Sequence, residues 1–337
     1  MTRMFITGGL GFLGFYTAKE LLGHGHEVTA YDACFNYIEP QKSTYRAQLD
    51  RRVRALGSRV RIIRGDTRDL TALATALKDT APEVVVHLAA VPLATAANKF
   101  STEAIQVNLY GTMALLEVMR TVPSVRRVVF VSSSFVYGNF RYEPADEEHP
   151  TDPIDVYGGT KLSGEALVKG YARRFGIEFV IVRPSSVYGP TDANRRVTQI
   201  FIESAITGRP LILHDGGQSR LDFTYCEDAA RGFVLAALHP AAANEVFNIT
   251  RGEGRSIREL AEVIGALVPG TRIDSQHETE KRPERGTLDI SKARRVLGYE
   301  PQISLEEGMK RYVAYVRESG ILPQVPAGSP QAPSDPS

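Results

Sequence analysis

The segment Phe5-Ile6-Thr7-Gly8-Gly9-Leu10-Gly11-Phe12-Leu13-Gly14 constrains the fold more than any other part of the chain. An apolar strand-like run ends, glycines turn the backbone, and an apolar helix-like stretch begins. Gly9, Gly11 and Gly14 satisfy a G-x-G-x-x-G spacing, and Gly8, Gly11 and Gly14 a G-x-x-G-x-x-G spacing. Missing side chains let a backbone approach a pyrophosphate, whose charge suits a helix N-terminus. Any tight strand-to-helix turn can also use glycine, so the rest of the sequence has to decide.

The first half repeats that strand-then-helix rhythm. Strand-like runs are Met4–Thr7, Glu27–Tyr31, Val60–Arg64, Val84–Leu88, Val128–Ser132 and Phe179–Arg183. Most are nearly continuous in Val, Ile and Phe, the pattern of strands buried on both faces. Helix-like stretches lie between them at Phe12–Leu22, Leu70–Lys78, Ser101–Thr121 and Asp155–Phe175. In the third, Ile105, Leu109, Thr112, Leu116 and Met119 recur at three or four residues and define one apolar face. Alternating strands and helices imply an α/β fold with a doubly wound parallel sheet.

After Arg183 the rhythm loosens. Tyr188–Asn194 reads as loop, Val197–Thr207 as helix and Leu211–His214 as strand. Phe223–Leu238 reads as a strand and helix, Val246–Ile249 as strand, and Ser256–Leu267 and Ser304–Arg317 as helices, with Ser256 as a cap. Residues 186–321 are expected to form mainly a smaller C-terminal lobe, with 222–240 returning to the main sheet. Residues 322–337 are rich in Pro, Ser and Ala without periodicity and read as a disordered tail.

Composition narrows the class. Of 337 residues, 43% are hydrophobic and 23% charged, enough apolar material for a full core. Forty Lys and Arg balance 39 Asp and Glu, so no broad charge favours nucleic acid or an anionic membrane. No run of about 18 apolar residues spans a bilayer, and Met1–Thr7 carries no signal-peptide core. Cys34 and Cys226 cannot build a disulfide framework. The expectation is a soluble cytoplasmic protein that binds neither nucleic acid nor membrane.

Asp32 ends the second strand, 18 residues after Gly14. An acid there accepts hydrogen bonds from adenosine ribose hydroxyls and repels a 2′-phosphate, and no Arg follows immediately, so the site favours NAD over NADP. The alternative is a solvated turn aspartate. Asp66, in Arg64-Gly65-Asp66-Thr67, suits either a place beside the adenine amino group or a cap for the next helix.

Tyr157 and Lys161 stand at i and i+4 and share one helix face. A tyrosine titrates near pH 10, too high for a base at neutral pH. A neighbouring ammonium favours the phenolate, and Tyr157 would then take a proton from a sugar hydroxyl as hydride leaves the same carbon. The serine run Ser132-Ser133-Ser134 stands at the carboxyl end of the fifth strand, where ligands of open α/β sheets bind. Each element alone has a plain reading, a surface pair or a strand end satisfying its own backbone. Their order along the chain is far more specific than any part.

These elements together resemble the extended short-chain dehydrogenase/reductases, specifically the NAD-dependent epimerase/dehydratase family acting on nucleotide sugars, close to UDP-glucose and UDP-galactose 4-epimerases. The resemblance runs from about Met4 to about Arg317. Its further signposts are His87-Leu88-Ala89-Ala90, Asn108-Leu109-Tyr110-Gly111-Thr112, Ser132 to Gly138, Arg183 to Pro190, Asp222-Phe223-Thr224-Tyr225 and Asp289-Ile290-Ser291-Lys292-Ala293. It implies a Rossmann-type NAD-binding domain over residues 1–185. It implies Ser133 as the catalytic hydroxyl, Tyr157 as base, and Lys161 as its partner and nicotinamide-ribose contact. Gly8, Gly11, Phe12, Leu13, Gly14, Asp32, Asp66 and Thr67 would hold the dinucleotide. Leu88, Ala89 and Ala90 would line it, Asn108 would be a structural polar residue nearby, Pro184 and Ser185 would meet the nicotinamide, and Asn36 the adenosine ribose. Two long helices, near Ser101–Thr121 and Asp155–Phe175, would form a homodimer interface.

Departures from the family concern substrate. Members related to UDP-galactose 4-epimerase usually carry Asn where this chain has Ser186, and many carry Arg where it has Leu221, with Arg220 one position earlier. The late Arg-Pro-Gly-Asp segment reads Arg282-Pro283-Glu284-Arg285-Gly286. Candidate substrate contacts are therefore Ser133, Ser134, Ser186, Arg196, Arg220 and Arg282, with Arg195 and Arg285 as further phosphate ligands. Resembling 4,6-dehydratases carry Asp-Glu where this chain has Ser134-Phe135, so epimerisation, at C4 of the sugar, is favoured over elimination. The competing readings are a 4-ketoreductase, dehydrogenase, decarboxylase or dehydratase on the same scaffold, and a non-catalytic NAD-binding regulator.

Other residues invite plainer readings. His24 and His26 flank a turn, and no metal site is expected there. His87 is expected to be packed and hydrogen-bonded, and Cys34 and Cys226 to be unpaired thiols. Tyr137 and Tyr188 are expected to be packing residues with hydroxyl partners.

Overall fold

The computed structural model describes residues 1–35, 43–277 and 284–320. Asn36, Arg282 and the 322–337 tail lie outside the described residues.

Six of the seven strands of the main sheet come early in the chain: β1 (Arg3–Thr7), β2 (Glu27–Asp32), β3 (Val60–Arg64), β4 (Val84–His87), β5 (Arg127–Val131) and β6 (Glu178–Arg183). Later strands are β7 (Val187–Tyr188), β8 (Leu211–His214), β9 (Arg220–Asp222), β10 (Thr224–Tyr225), β11 (Glu245–Asn248), β12 (Gly254–Ser256) and β13 (Ile273–Gln276). The main sheet has seven strands in the order β11-β6-β5-β4-β1-β2-β3, and every neighbouring pair is parallel. The order 3-2-1-4-5-6 is that of a doubly wound dinucleotide-binding sheet. Every residue of β4 and β5 is buried, as their unbroken apolar runs require. The strand order reverses between β1 and β4, so the helices that follow them lie on opposite faces and a crevice opens at the carboxyl ends of these strands.

The helices are α1 (Phe12–Gly23), α2 (Ser43–Leu56), α3 (Leu70–Thr80), α4 (Ala94–Lys99), α5 (Ser101–Ala104), α6 (Gly111–Met119), α7 (Val156–Phe175), α8 (Val197–Ile206), α9 (Cys226–Leu238), α10 (Ile257–Leu267), α11 (Ser291–Leu297) and α12 (Leu305–Ser319). One apolar cluster joins α1, α2, α9, α10 and α12 to one sheet face, through residues such as Ile6, Phe15, Leu49, Phe233, Leu260 and Tyr312. A second, with Phe5, Leu77, Leu115, Phe130 and Val168, fills the other face under α3, α6 and α7. Helix α9 packs on α1 and β11 joins the main sheet, so the chain returns to the first half as far as Asn248. Helices α8, α10 and α12 pack together beside the short pairs β8–β13 and β9–β12.

Local chemistry sets several boundaries. Asp155 caps α7 by accepting the Gly158 amide at 2.7 Å. Ser256 and Glu259 form a complete capping box on α10. The continuous helix expected over Ser101–Thr121 is instead divided by a π segment, Ile105–Tyr110. Such bulges gather at functional sites. Here it turns Asn108 inward, where Oδ1 accepts the Val91 amide at 2.7 Å and Nδ2 donates to Thr160 at 3.1 Å. Helix α2 and strand β13 have no counterpart in the periodicity reading, and β13 is exposed along its length. Among the described residues no helix is long and apolar enough to cross a membrane.

Candidate active site

A cleft of about 170 Å³ opens over the carboxyl ends of β1, β2 and β4. The glycine turn forms its floor. Gly8 has φ +68°, and a Cβ there would stand 2.8 Å from the Ala89 amide. A Cβ on Gly14 would lie 2.1 Å from the Gly8 carbonyl, so only glycine lets α1 start this close to the turn. Helix α1 has no side-chain cap. Its first amides and the positive end of its dipole therefore face the cleft undressed, the arrangement that receives a phosphate.

Asp32 ends β2 and lines the cleft. Its carboxylate accepts the Leu10 amide at 2.9 Å and the Cys34 amide at 2.7 Å. Burial raises its pKa, and these amides and the charge of Arg52 pull it back. Asp66 and Thr67 line the same cleft, as do Phe12, Leu13, Leu88, Ala89 and Ala90. Asp66 does not cap the next helix. Asp69 does, accepting the amides of Thr71 and Ala72 at 3.0 Å, while Asp66 is gripped by Arg68 at 2.7 Å. Asn108 does not line the cleft but braces its wall from behind through Val91 and Thr160. An acid at the end of β2, a glycine floor and an uncapped helix start fit a bound dinucleotide.

A second pocket continues from the first, sharing Leu13, Leu88, Ala90, Pro92 and Arg196. It collects Ser133, Ser134, Tyr157, Lys161, Pro184, Ser185 and Ser186. Helix α7 reaches it closely because Gly158 and Gly164 leave room for the Phe135 carbonyl and the Phe130 ring. Tyr157 is 8% exposed and meets Phe135 edge-on at 5.4 Å. Lys161 Nζ donates to the Val131 carbonyl at 2.9 Å and stands 5.9 Å from the Tyr157 ring centre. Burial pushes Lys161 down to about 8.

The expected lowering of the Tyr157 pKa does not appear in the protein alone. Burial raises it, and the groups drawing it back are Arg196, the Ser133 hydroxyl and Arg285. Desolvating a phenolate outweighs the pull of these groups.

The serine run divides by partner. Ser132 Oγ donates to Glu165 Oε1 at 2.6 Å, and Glu165 takes two bonds from Arg183, at 2.9 and 2.7 Å. This buried network also holds the Tyr137 hydroxyl, which accepts from Arg183 and donates to Asn248. His87 lies between Thr7 at 2.6 Å and Thr112 at 2.9 Å, and burial drives its pKa down to about 3. It is a neutral bracing group. The Tyr188 hydroxyl, expected to have a partner, is buried without one among the described residues. The close passage of α12 at Gly308 explains this, since a Cβ there would sit 2.1 Å from that oxygen.

Of the remaining arginines, Arg196 lines both pockets and pairs with Asp192 at 2.8 Å. Arg285 stacks over the Phe135 ring at 4.1 Å. Arg220 is exposed on β9 and donates to the Gly254 carbonyl at 2.7 Å, away from both pockets. Arg195 is turned to Glu203 at 3.7 Å. Ser186 holds a left-handed backbone, φ 38°, which an Asn adopts more readily than a Ser. Periodicity did not point to Arg52, Tyr45 and Asn194, which also line the first cleft.

The profile of the NAD dependent epimerase/dehydratase family matches residues 4–250. The chain belongs to this family. A putative UDP-glucose 4-epimerase of Methanocaldococcus jannaschii is 32% identical over 321 residues, covering 93% of this chain and 98% of that protein. The UDP-glucuronic acid 4-epimerase of Bacillus cereus, solved with UDP-glucuronic acid and NAD, is 29% identical with a TM-score of 0.84, over 94% of this chain and 99% of that one. The UDP-glucose 4-epimerase of Thermotoga maritima, solved with UDP-glucose, is 27% identical with a TM-score of 0.84 and the same coverage. NAD is the cofactor of the family, and the cleft built from β1, β2 and β4 suits it.

Proposed function

We propose that this protein is an NAD-dependent nucleotide-sugar 4-epimerase. The observation that carries this reading is the chemistry of the second pocket. Tyr157, Lys161 and Ser133 line it, and among the described residues it holds no Asp or Glu. Eliminating water from a sugar needs an acid for the leaving hydroxyl and a base for the neighbouring C–H. Here the positions next to Ser133 are Ser134 and Phe135, so neither carboxylate is present. Epimerisation needs one group that removes and returns one proton.

In this reading Ser133 Oγ holds the C4 oxygen and Tyr157 Oη takes its proton. NAD, once bound, would supply the reversible redox chemistry at C4. Tyr157 gives the proton back after the flat ketone has presented its other face. Lys161 holds the cofactor ribose and the charge near Tyr157, while Pro184 and Ser185 set the wall behind C4. Gly8, Gly11, Phe12, Leu13 and Gly14 seat the pyrophosphate, and Asp32 the adenosine ribose. Ser134, Ser186 and Arg196 face the sugar diphosphate. The UDP-sugars of the related enzymes make a uridine diphosphate sugar the first substrate to try.

A homodimer through α5–α6 and α7 accords with apolar side chains left exposed there: Ile105 at 47%, Tyr110 at 42% and Phe175 at 42%. The unpaired thiols Cys34 and Cys226 accord with a reducing, cytoplasmic setting.

The test is incubation of the purified protein with UDP-sugars in heavy water, read by chromatography and mass spectrometry. An isomer of unchanged mass is expected, because the hydride returns without exchange. A product lighter by water and carrying deuterium would overturn the reading. Tyr157→Phe should lower kcat by roughly 10²–10⁴-fold while leaving NAD bound.

A further inference from the structure

Arg52 lies on α2 and is 2% exposed, yet it lines the dinucleotide cleft. Among the described residues, its Nε and Nη2 atoms are buried and find no hydrogen-bond partner. Buried guanidinium groups are rarely left so, since removing the charge from water is costly unless something pairs with it. Two carboxylates stand near it, Asp32 and Asp192. Both are engaged elsewhere. Asp32 receives the amides of Leu10 and Cys34, and Asp192 receives Arg196 at 2.8 Å and Asn194 Nδ2 at 2.9 Å. Among the described residues, the formal cations lining this cleft are Arg52 and Arg196, and Arg196 already has its carboxylate. The glycine turn and α1 offer amides and a dipole to a pyrophosphate, but no whole charge.

We propose that Arg52 is a phosphate-binding residue of the dinucleotide site, with its Nε and Nη2 hydrogens donating to pyrophosphate oxygens of NAD. The proposal rests on this cleft being the NAD site. A guanidinium presents two parallel donors that match two phosphate oxygens. The pyrophosphate carries the anionic oxygens of NAD, and Asp32 on the ribose side disfavours a 2′-phosphate at that end. The contact also explains why an arginine is tolerated here: its burial is uncompensated only until the ligand arrives. Burial pulls its pKa down, which a phosphate would reverse.

The test is calorimetric titration of the full chain, freed of nucleotide, with adenosine, ADP, NAD and adenosine 2′,5′-bisphosphate, alongside a melting curve of each nucleotide-free variant. Arg52→Met should weaken ADP and NAD by about tenfold to a hundredfold and leave adenosine unchanged. Its nucleotide-free melting temperature should hold or rise, because an unpaired buried charge has been removed. Arg52→Lys keeps the charge without the fork, so it should lose less than Arg52→Met. Equal losses for adenosine and ADP, or no loss, would overturn the assignment. So would a loss confined to the 2′,5′-bisphosphate, or a melting temperature that falls in both variants. Wild-type protein that binds neither ADP nor NAD would overturn the reading of the cleft itself, a result distinct from wild-type binding that Arg52→Met leaves intact.

Discussion

Ser132 Oγ donates to Glu165 Oε1 at 2.6 Å, in the wall of the pocket it lines together with Ser133 and Tyr157. Adjacent serines therefore do different work. The Ser132 hydroxyl satisfies a buried carboxylate already paired to Arg183. Ser133 accepts the Phe135 amide at 3.3 Å and its hydroxyl favours the Tyr157 phenolate. Ser132→Ala should cost about 1–3 kcal/mol of stability, the range for orphaning a buried hydrogen-bonding group, and leave kcat near its starting value. Ser133→Ala should do the reverse, lowering kcat by roughly 10²–10³-fold with little change in unfolding midpoint. Urea unfolding and steady-state kinetics on both variants check the split; equal kinetic defects would show that the hydroxyls are interchangeable.

Gly14 is the tightest point of the cofactor turn. A methyl there would meet the Gly8 carbonyl at 2.1 Å, and that carbonyl is backbone that cannot swing aside. Gly14→Ala should destabilise the fold by about 1–3 kcal/mol, as overpacking does, and abolish measurable NAD binding. Thermal melts with and without NAD test this. A variant that kept a wild-type NAD-induced shift would mean that the turn relaxes without losing its ligand.

The reach of sequence reading follows from what each residue answers to. Strands β1, β2 and β4 to β6 were legible because burial on both faces forces continuous apolar runs, while β3, at the sheet edge and mostly exposed, was legible from its Val and Ile alone; the meeting of Tyr157 and Lys161 in one pocket was legible because their i, i+4 spacing is local. Helix α2 was not. Tyr45, Leu49, Arg52 and Leu56 recur at spacings of three and four, but the charged run Arg51 to Arg54 hides the buried face. The π segment inside Ser101–Thr121 escaped for another reason: it preserves apolar content while shifting phase, and only the tertiary demand that Asn108 reach Val91 and Thr160 reveals it. Asp69 rather than Asp66 caps α3 because both are reachable turn acids, and the choice depends on Arg68 taking one of them.

Exposed Ile105 and Tyr110 give the dimer proposal a direct check. Both project from the π segment into solvent in the single chain, so charging them should not disturb the monomer core. The double variant Ile105→Glu/Tyr110→Glu should shift the protein to a monomer by light scattering, with circular dichroism unchanged. A variant that stayed dimeric would place the interface elsewhere.

His87 sets a pH limit on stability. It is buried between Thr7 and Thr112, and its pKa falls from 6.5 to about 3. The unfolded chain takes up this proton near pH 6.5 while the folded chain refuses it until about pH 3. Below pH 6.5 the unfolded state therefore binds more protons, and the contribution of His87 to stability, full above that pH, is lost as pH falls toward 3. The loss should approach about 1.4 kcal/mol per pH unit from this one group once the unfolded histidine is charged. Replacing it isolates the effect from that of other groups. His87→Gln keeps a hydrogen-bonding side chain between the two threonines but cannot take the proton. At pH 7 it should be somewhat less stable than the wild type, because a shorter amide cannot span both hydroxyls. Between pH 6 and pH 4.5 its unfolding free energy should fall less steeply, so the two curves converge as the medium becomes more acid. Parallel curves over that interval would mean that His87 is protonated in the fold, with Thr7 and Thr112 acting as acceptors.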